Sequence, residues 1–140
     1  MTPEQRKFLE QHRLVVVGIP GKGAPSLTPV YYAMDGDDVV ISTTASRYKA
    51  KAVWRNPQVA LCVLGEQQPF PYMTVYGHGT IEEQGAVDVM MKVGERMTGN
   101  PIPEAARQAV EQRAKDEGRV VLRVRIERFG GSQYARPAAG

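Results

Sequence analysis

The sequence is poor in the residues that build disulfide frameworks and metal centres. It holds one cysteine, Cys62, and two histidines, His12 and His78, among 140 residues. One cysteine cannot form an intrachain disulfide, which favours a reducing compartment, and it excludes a site built from four thiolates. The two histidines are far apart and have no carboxylate or cysteine at a metal-ligand spacing. We therefore expect no metal site.

Long apolar runs are also missing. No stretch approaches the roughly 20 residues that are needed to span a bilayer, and the first segment, MTPEQRKFLEQHR, is too charged for a signal peptide. Hydrophobic residues make up 42% of the chain and charged residues 24%, which is typical of a globular protein. We expect one cytoplasmic domain over residues 1–140 with an irregular, mobile tail over residues 130–140, and no membrane span.

The positive charge of the chain is concentrated in one segment. The net charge is +3, from 18 basic and 15 acidic residues. Residues 46–57, SRYKAKAVWRNP, contain four bases and no acid, so the rest of the chain, with 14 bases against 15 acids, sums to −1. This pattern predicts a focused anion site rather than a basic face spread over the molecule.

Hydrophobic alternation predicts a mainly β fold with peripheral helices. Strands are predicted over residues 14–19, 26–34, 38–43, 59–64, 72–82 and 120–129. Helices are predicted near the N-terminus, behind Ser46, and over residues 87–97 and 103–117; Thr2 and Gln5 form a capping box for the first helix. Asp35-Gly36 predicts a hairpin. The strands do not alternate regularly with helices, which argues against a doubly wound parallel sheet. We expect about six antiparallel strands in a small closed or partly open barrel.

The third predicted strand leads directly into the basic segment. It ends in the hydroxyl residues Ser42, Thr43 and Thr44, and a helix is predicted to begin near Ser46. The free amides and the positive dipole end of a helix favour an anion. Three cations add donors at the same place: Arg47, Lys49 and Lys51. The segment is therefore a candidate phosphate site, and the alternative is a solvated helix face whose charges aid solubility.

Other chemistry-bearing residues have structural interpretations. Cys62 lies in the apolar run VALCVL, which predicts a buried, inert thiol. The glycine-rich run GIPGKGAP lacks the Lys-Ser/Thr pair of a phosphate loop and is predicted to be a turn. Trp54 and Val53 are predicted to belong to the core or to an interface.

The run PSLTPVYYAMDGDDVVISTTASRYKAKAVWRNPQVALCV resembles a known family. It is similar to the split β-barrel flavin-binding proteins related to pyridoxamine 5′-phosphate oxidase, and most like the actinobacterial oxidoreductases of the B type that use the deazaflavin coenzyme F420. The resemblance covers roughly residues 5–130. Family members commonly have an Arg-Asn pair in the basic stretch, where this chain has Lys51-Ala52.

The resemblance implies a homodimer with F420 in a groove between two protomers. Its phosphate-binding positions fall on Arg47, Lys49 and Lys51. Its contacts to the coenzyme ring fall near Pro29, Val30 and Tyr31, and near Ser42, Thr43 and Thr44. The partner protomer is implied to contribute Tyr72, Met73 and Tyr76.

Charge favours F420 over FMN as the cofactor. The three cations and Arg55 exceed what one phosphate requires, and F420 carries an anionic tail beyond its phosphate. The expected reaction is hydride transfer from reduced F420 to a conjugated or electron-poor small molecule. No catalytic residue is assigned; Tyr31, Tyr72 and His78 are candidates for proton donation.

Three alternatives remain open at the level of the sequence. The first is an FMN-binding oxidoreductase of the same fold. The second is a non-catalytic flavin- or tetrapyrrole-binding protein. The third, nucleic-acid binding through residues 47–55, is disfavoured because the chain lacks an extended basic stripe.

Overall fold

The computed structural model describes residues 1–46 and 48–133, and it leaves the side chains of Tyr48 and Lys49 undescribed. The helices are α1 (Pro3–Gln11), α2 (Tyr48–Arg55), α3 (Ala86–Thr98) and α4 (Arg107–Glu117), with a short 3-10 turn at Glu104–Ala106. The strands are β1 (Leu14–Ile19), β2 (Ser26–Tyr31), β3 (Ala33–Asp35), β4 (Asp38–Thr44), β5 (Gln58–Leu64), β6 (Tyr72–Glu82) and β7 (Arg119–Gln133). The predicted mainly β class is confirmed.

The strands form one curled sheet. The seven strands lie in the order β2-β1-β5-β6-β7-β4-β3, and every neighbouring pair is antiparallel. The two edge strands, β2 and β3, are separated in the chain only by Tyr32. A flat sheet would hold them roughly 29 Å apart, so the sheet must curl until the end of β2 lies beside the start of β3. The result is a half-barrel with seven strands rather than about six.

Tyr32 breaks the strand that the sequence predicts over residues 26–34. Its ring is fully buried, and its hydroxyl donates a hydrogen bond to the carbonyl oxygen of Leu9 at 2.6 Å. Its backbone N–H donates to the carbonyl of Arg13 at 3.0 Å. Burial raises the pKa of the Tyr32 hydroxyl, which therefore remains a donor. The side chain thus fastens α1 to the seam between the two edge strands.

The barrel interior is filled by aliphatic side chains that alternate along each strand. Members of this core include Val15, Val17 and Ile19 of β1, Leu61 and Val63 of β5, Met73 and Val75 of β6, and Leu122 and Val124 of β7. Phe8 and Leu9 of α1 close one end of the barrel, and Val53 of α2 also joins the core. Each such side chain contributes roughly 1.5–3 kcal/mol when it is fully buried.

A second apolar cluster covers part of the outer face of the sheet. Ala86, Val89 and Val93 of α3 pack on Ala33, Val40 and Val121. The strands β3, β4 and β7 are therefore buried on both faces near α3, and Tyr31 of β2 packs against the same cluster. No helix in the described part of the chain is long and apolar enough to cross a membrane.

The last strand extends beyond its predicted end. The sequence predicts an irregular tail from residue 130, but β7 continues to Gln133 and pairs with Tyr72 at the start of β6. Gly130 and Gly131 carry no side chain, so they interrupt the alternation that marks a strand in the sequence. At Gly130 a Cβ atom would lie 2.6 Å from the Tyr76 ring, which shows how closely β7 approaches β6. Residues 134–140 of the predicted tail lie outside the described residues.

Candidate functional site

The end of β4 presents its hydroxyl residues to two different sides of the sheet. Val39 and Ile41 belong to the barrel core and Val40 to the cluster under α3, so alternation places Ser42 and Thr44 on the outer face. Thr43 faces inward and is 0% exposed, and its hydroxyl has no hydrogen-bond partner among the described residues. Only its backbone is therefore available to a cofactor outside the barrel.

The predicted phosphate-binding segment begins at the corner that follows β4. The backbone N–H of Ala45 donates to the carbonyl of Gly118 at 3.0 Å, which holds this corner beside the end of α4. Arg47 lies outside the described residues, and so does the side chain of Lys49. Lys51 is exposed on α2 and is available to an anion.

The other face of α2 is buried. Ala50, Ala52 and Val53 face the protein, whereas Trp54 is 74% exposed. Trp54 therefore does not belong to the core of this chain, and its place at an interface stays a prediction. Val53 belongs to the core, as predicted.

A cleft of about 320 Å³ opens between the sheet and the helices α3 and α4. Three of the predicted cofactor-binding residues line it: Val30, Tyr31 and Ser42. Its apolar wall consists of Met90, Val93, Met97, Ile102 and Val110, and two arginines complete it, Arg113 and Arg119. The fold therefore brings residues of β2 and β4 together, as the resemblance implies. Pro29, by contrast, is an exposed residue of the edge strand β2, and its side chain lies outside this cleft.

The two arginines of the cleft were not predicted from the sequence. Arg119 pairs with Thr44 in the β4–β7 register, and its Nη1 lies 3.5 Å from the Ser42 Oγ. Glu117 accepts from Arg119 Nε at 2.6 Å and from Arg113 Nε at 3.1 Å. The hydrogen bond from Arg119, reinforced by the one from Arg113, lowers the pKa of Glu117. Only the pairing of β4 with β7 brings Arg119 to Ser42, and that pairing is not visible in the sequence.

The residues that are implied to act from the partner protomer lie on β6, away from this cleft. Met73 is 0% exposed inside the barrel, so its side chain cannot contact a ligand outside. Tyr72 lies in one row with Leu64, Leu14 and Tyr31 across β6, β5, β1 and β2. Three strand spacings put Tyr72 about 14 Å from Tyr31 within one chain.

Tyr76 lines a second groove, of about 530 Å³, on the outer face of the sheet. Gly18 and Ala60 lie beside each other at its floor, and the exposed Leu27 lies at its edge. The Arg128 guanidinium lies 3.9 Å from the Tyr76 ring centroid, a cation–π contact. Within one chain, Tyr76 and Ser42 therefore line different clefts.

His78 and Cys62 have no contacts among the described residues that are typical of catalytic side chains. His78 is half-buried on β6 between Gln58 and Arg125 in the sheet register. Cys62 is half-buried rather than buried, and desolvation raises the pKa of its thiol, so little thiolate forms at neutral pH. In residues 1–46 and 48–133, no group of His, Cys, Asp and Glu side chains is placed to hold a metal ion.

Residues 1–132 match the family model described as pyridoxamine 5′-phosphate oxidase. The chain belongs to the pyridoxamine 5′-phosphate oxidase family. No curated protein matches it significantly in sequence.

Solved structures share the fold of this family member. A conserved hypothetical protein from Mycobacterium tuberculosis matches with a TM-score of 0.80 and 23% identity over 100% of this chain and 92% of that chain. A protein described as an F420 reductase matches with a TM-score of 0.70 and 24% identity over 89% and 94% of the two chains. The heme storage protein HutZ from Vibrio cholerae matches with a TM-score of 0.66 and 13% identity over 93% of each chain.

These comparisons confirm the split-barrel fold and the predicted family. At the level of the family they support a flavin-type cofactor and an oxidoreductase-like function. These three solved structures are below 25% identity and show the fold alone.

Proposed function

We propose that this protein is a homodimeric oxidoreductase that uses coenzyme F420 to reduce a conjugated or electron-poor small molecule. One observation carries the proposal. At the end of β4, Ser42, Thr44 and the start of the basic segment lie beside an apolar cleft. The sheet side of the cleft suits a planar ring, and the hydroxyls and the cations of the basic segment suit the anionic part of the same coenzyme.

The donor set fits the coenzyme. Bound F420 would supply the hydride chemistry, and the protein would bind and orient it. Lys51 on α2 is free to approach a phosphate, and Arg47 and Lys49 are proposed to join it. Val30, Tyr31 and Ser42 would contact the ring side of the coenzyme, and Thr43 only through its backbone.

The amount of positive charge supports F420 over FMN. FMN ends in one phosphate, whereas F420 continues into a lactyl-oligoglutamate tail with several carboxylates. The segment 46–57 offers four cations and no acid, which exceeds the charge of one phosphate. FMN remains the second candidate for the same site.

The outer face of the sheet supports the homodimer. Leu14, Val16 and Leu64 point outward and are only partly covered, and Leu27 is 69% exposed. A contiguous apolar face of this kind commonly marks an interface. A second copy that packs on this face would bring its Tyr72 and Tyr76 to the cleft at Ser42, which one chain does not do for itself.

The test is a titration of the purified protein with F420 and with FMN, followed by the fluorescence of Trp54, the sole tryptophan. We expect F420 to bind at least tenfold more tightly than FMN. Replacing Lys51 with alanine removes one charge-assisted contact and should cost roughly 1.5–3 kcal/mol of binding free energy. The control is Lys7→Ala on the exposed side of α1, which should leave binding unchanged. Tighter binding of FMN would reject F420, and no binding of either would reject the cofactor site.

A non-catalytic binder of flavin or tetrapyrrole is the remaining candidate, and the fold is shared with a heme storage protein. Turnover separates the two possibilities. An oxidoreductase will oxidise reduced F420 when a quinone or nitroaromatic acceptor is added, whereas a storage protein will bind without turnover.

A further inference from the structure

We propose that the cleft between the sheet and the helices α3 and α4 binds an apolar small molecule that carries one carboxylate. Under the proposed function this ligand would be the hydride acceptor, and that role rests on the proposed function. Its binding to the cleft does not depend on the coenzyme.

The walls of the cleft are mostly apolar and suit the apolar part of a ligand. Met97 is 44% exposed on α3, although it is a long apolar side chain on a helix that is otherwise well packed. Gly94, inside the same helix, lines the cleft too, and a Cβ atom there would lie 2.5 Å from the Ile102 Cδ1. Glycine in a helix interior is destabilising, but here its missing side chain lets Ile102 pack close to α3. Apolar groups therefore line the cleft and leave its space open.

The arginine end of the cleft has hydrogen-bond donors to spare. Glu117 uses both carboxylate oxygens on the Nε atoms of Arg113 and Arg119. Among the described residues, the Nη atoms of Arg113 and the Nη2 of Arg119 have no partner, and the Nη1 of Arg119 has only the 3.5 Å contact with Ser42. Arg119 is 14% exposed, so its guanidinium is partly removed from water.

Charge balance then selects the ligand. The three side chains Arg113, Arg119 and Glu117 sum to +1, which one carboxylate neutralises. A carboxylate also matches the forked geometry of a guanidinium, which donates two parallel hydrogen bonds. Arg123, in the neighbouring cleft on the other side of α3, shows the contrast: its donors are taken by Asp35, Asp38 and Glu82.

Met90 and Met91 are adjacent in α3 but line different clefts, which allows a direct test by NMR. Met90 and Met97 line the proposed cleft, Met91 lines the neighbouring cleft, and Met73 lies inside the barrel. The protein is labelled with ¹³C at the methionine methyl groups and titrated, without coenzyme, with 4-phenylbutyrate and with its neutral amide. We expect saturable shifts at Met90 and Met97, none at Met91 or Met73, and at least tenfold tighter binding of the carboxylate.

Variants separate the charge from the apolar wall. Arg119→Gln should weaken binding of the carboxylate at least tenfold, and Arg113→Gln, at a side chain that is 59% exposed, should weaken it about threefold. Both should leave binding of the amide unaffected. Arg125→Gln, on the exposed side of β7, is the matched control and should change neither. Because Arg113 is an exposed residue of α4, its variant keeps the test valid if Arg119→Gln does not fold.

Three results would overturn the inference. Equal affinity for the acid and the amide would show that the cleft does not recognise the carboxylate. Shifts confined to Met91 would place the ligand in the neighbouring cleft. Displacement of phenylbutyrate by the F420 tail alone would assign the arginines to the coenzyme. Carboxylate binding in a protein that fails to bind F420 would reject the proposed function and retain this site.

Discussion

The buried hydroxyl of Thr43 is predicted to reduce the stability of the protein. Its side chain is 0% exposed and faces the aliphatic core of the barrel, and its Oγ1 has no partner among the described residues. A buried polar group without a hydrogen bond costs about 1–3 kcal/mol. Thr43→Val keeps the shape of the side chain and removes the hydroxyl, so it should raise the free energy of unfolding by about 1–2 kcal/mol.

The expected gain is measurable by calorimetry. Unfolding entropy of about 2.1 cal/mol/K per residue gives roughly 0.3 kcal/mol/K for a chain of this size, so the midpoint should rise by about 3–7 °C. The control is Thr80→Val at an exposed position of β6, which should change the stability by less than about 0.5 kcal/mol. A midpoint for Thr43→Val that is unchanged or lowered would show that the hydroxyl has a partner, and would refute the reasoning.

Three further changes test the packing of the barrel. Gly77→Ala places a Cβ atom 2.4 Å from a backbone carbonyl of β7, so urea unfolding should show a loss of at least about 2 kcal/mol; Gly131→Ala, with nothing within 4 Å of its Cβ, should show almost none. Tyr32→Phe removes a hydrogen bond to the Leu9 carbonyl, which keeps a second donor; we expect a loss of about 1 kcal/mol, and a loss above about 3 kcal/mol would contradict this. The hydrogen bond from Arg123, followed by the charge of Lys92, lowers the pKa of Asp35 from 3.8. The ionised carboxylate therefore contributes stability above about pH 4, and this stability is lost as the pH falls further. Asp35→Asn should therefore lower the urea midpoint at about pH 7 more than at about pH 3, and equal losses at both would exclude this linkage.

Local sequence signals predicted the elements of the fold well. The capping box of Thr2 and Gln5 is present at the start of α1, and Asp35-Gly36 forms the predicted hairpin, with Gly36 at φ +60°. The predicted bounds of β6 match those observed. These features depend on neighbouring residues, so the sequence alone carries them.

Tertiary pairing explains what the sequence did not reveal. The break at Tyr32 depends on α1, whose Leu9 carbonyl accepts the tyrosine hydroxyl. The extension of β7 depends on β6, which supplies backbone partners to glycines that show no alternation. Arg119 reaches the candidate site only because β7 pairs with β4. Each of these contacts joins segments that are far apart in the chain.

The candidate site was predicted in part. Val30, Tyr31 and Ser42 do line one cleft, although their binding of a cofactor stays a prediction. The inward position of Thr43 and Met73 follows from strand register, which a list of motif positions does not contain. The homodimer also stays a prediction, supported by the exposed apolar side chains on the outer face of the sheet.

The most direct test of the account is the affinity of the purified protein for F420 relative to FMN, measured together with the mass of the complex in solution. The account predicts one F420 per protomer in a particle of twice the mass of the 15.4 kDa chain, with FMN bound at least tenfold more weakly. A monomer that binds neither coenzyme, with Lys51→Ala indistinguishable from the parent protein, would contradict it.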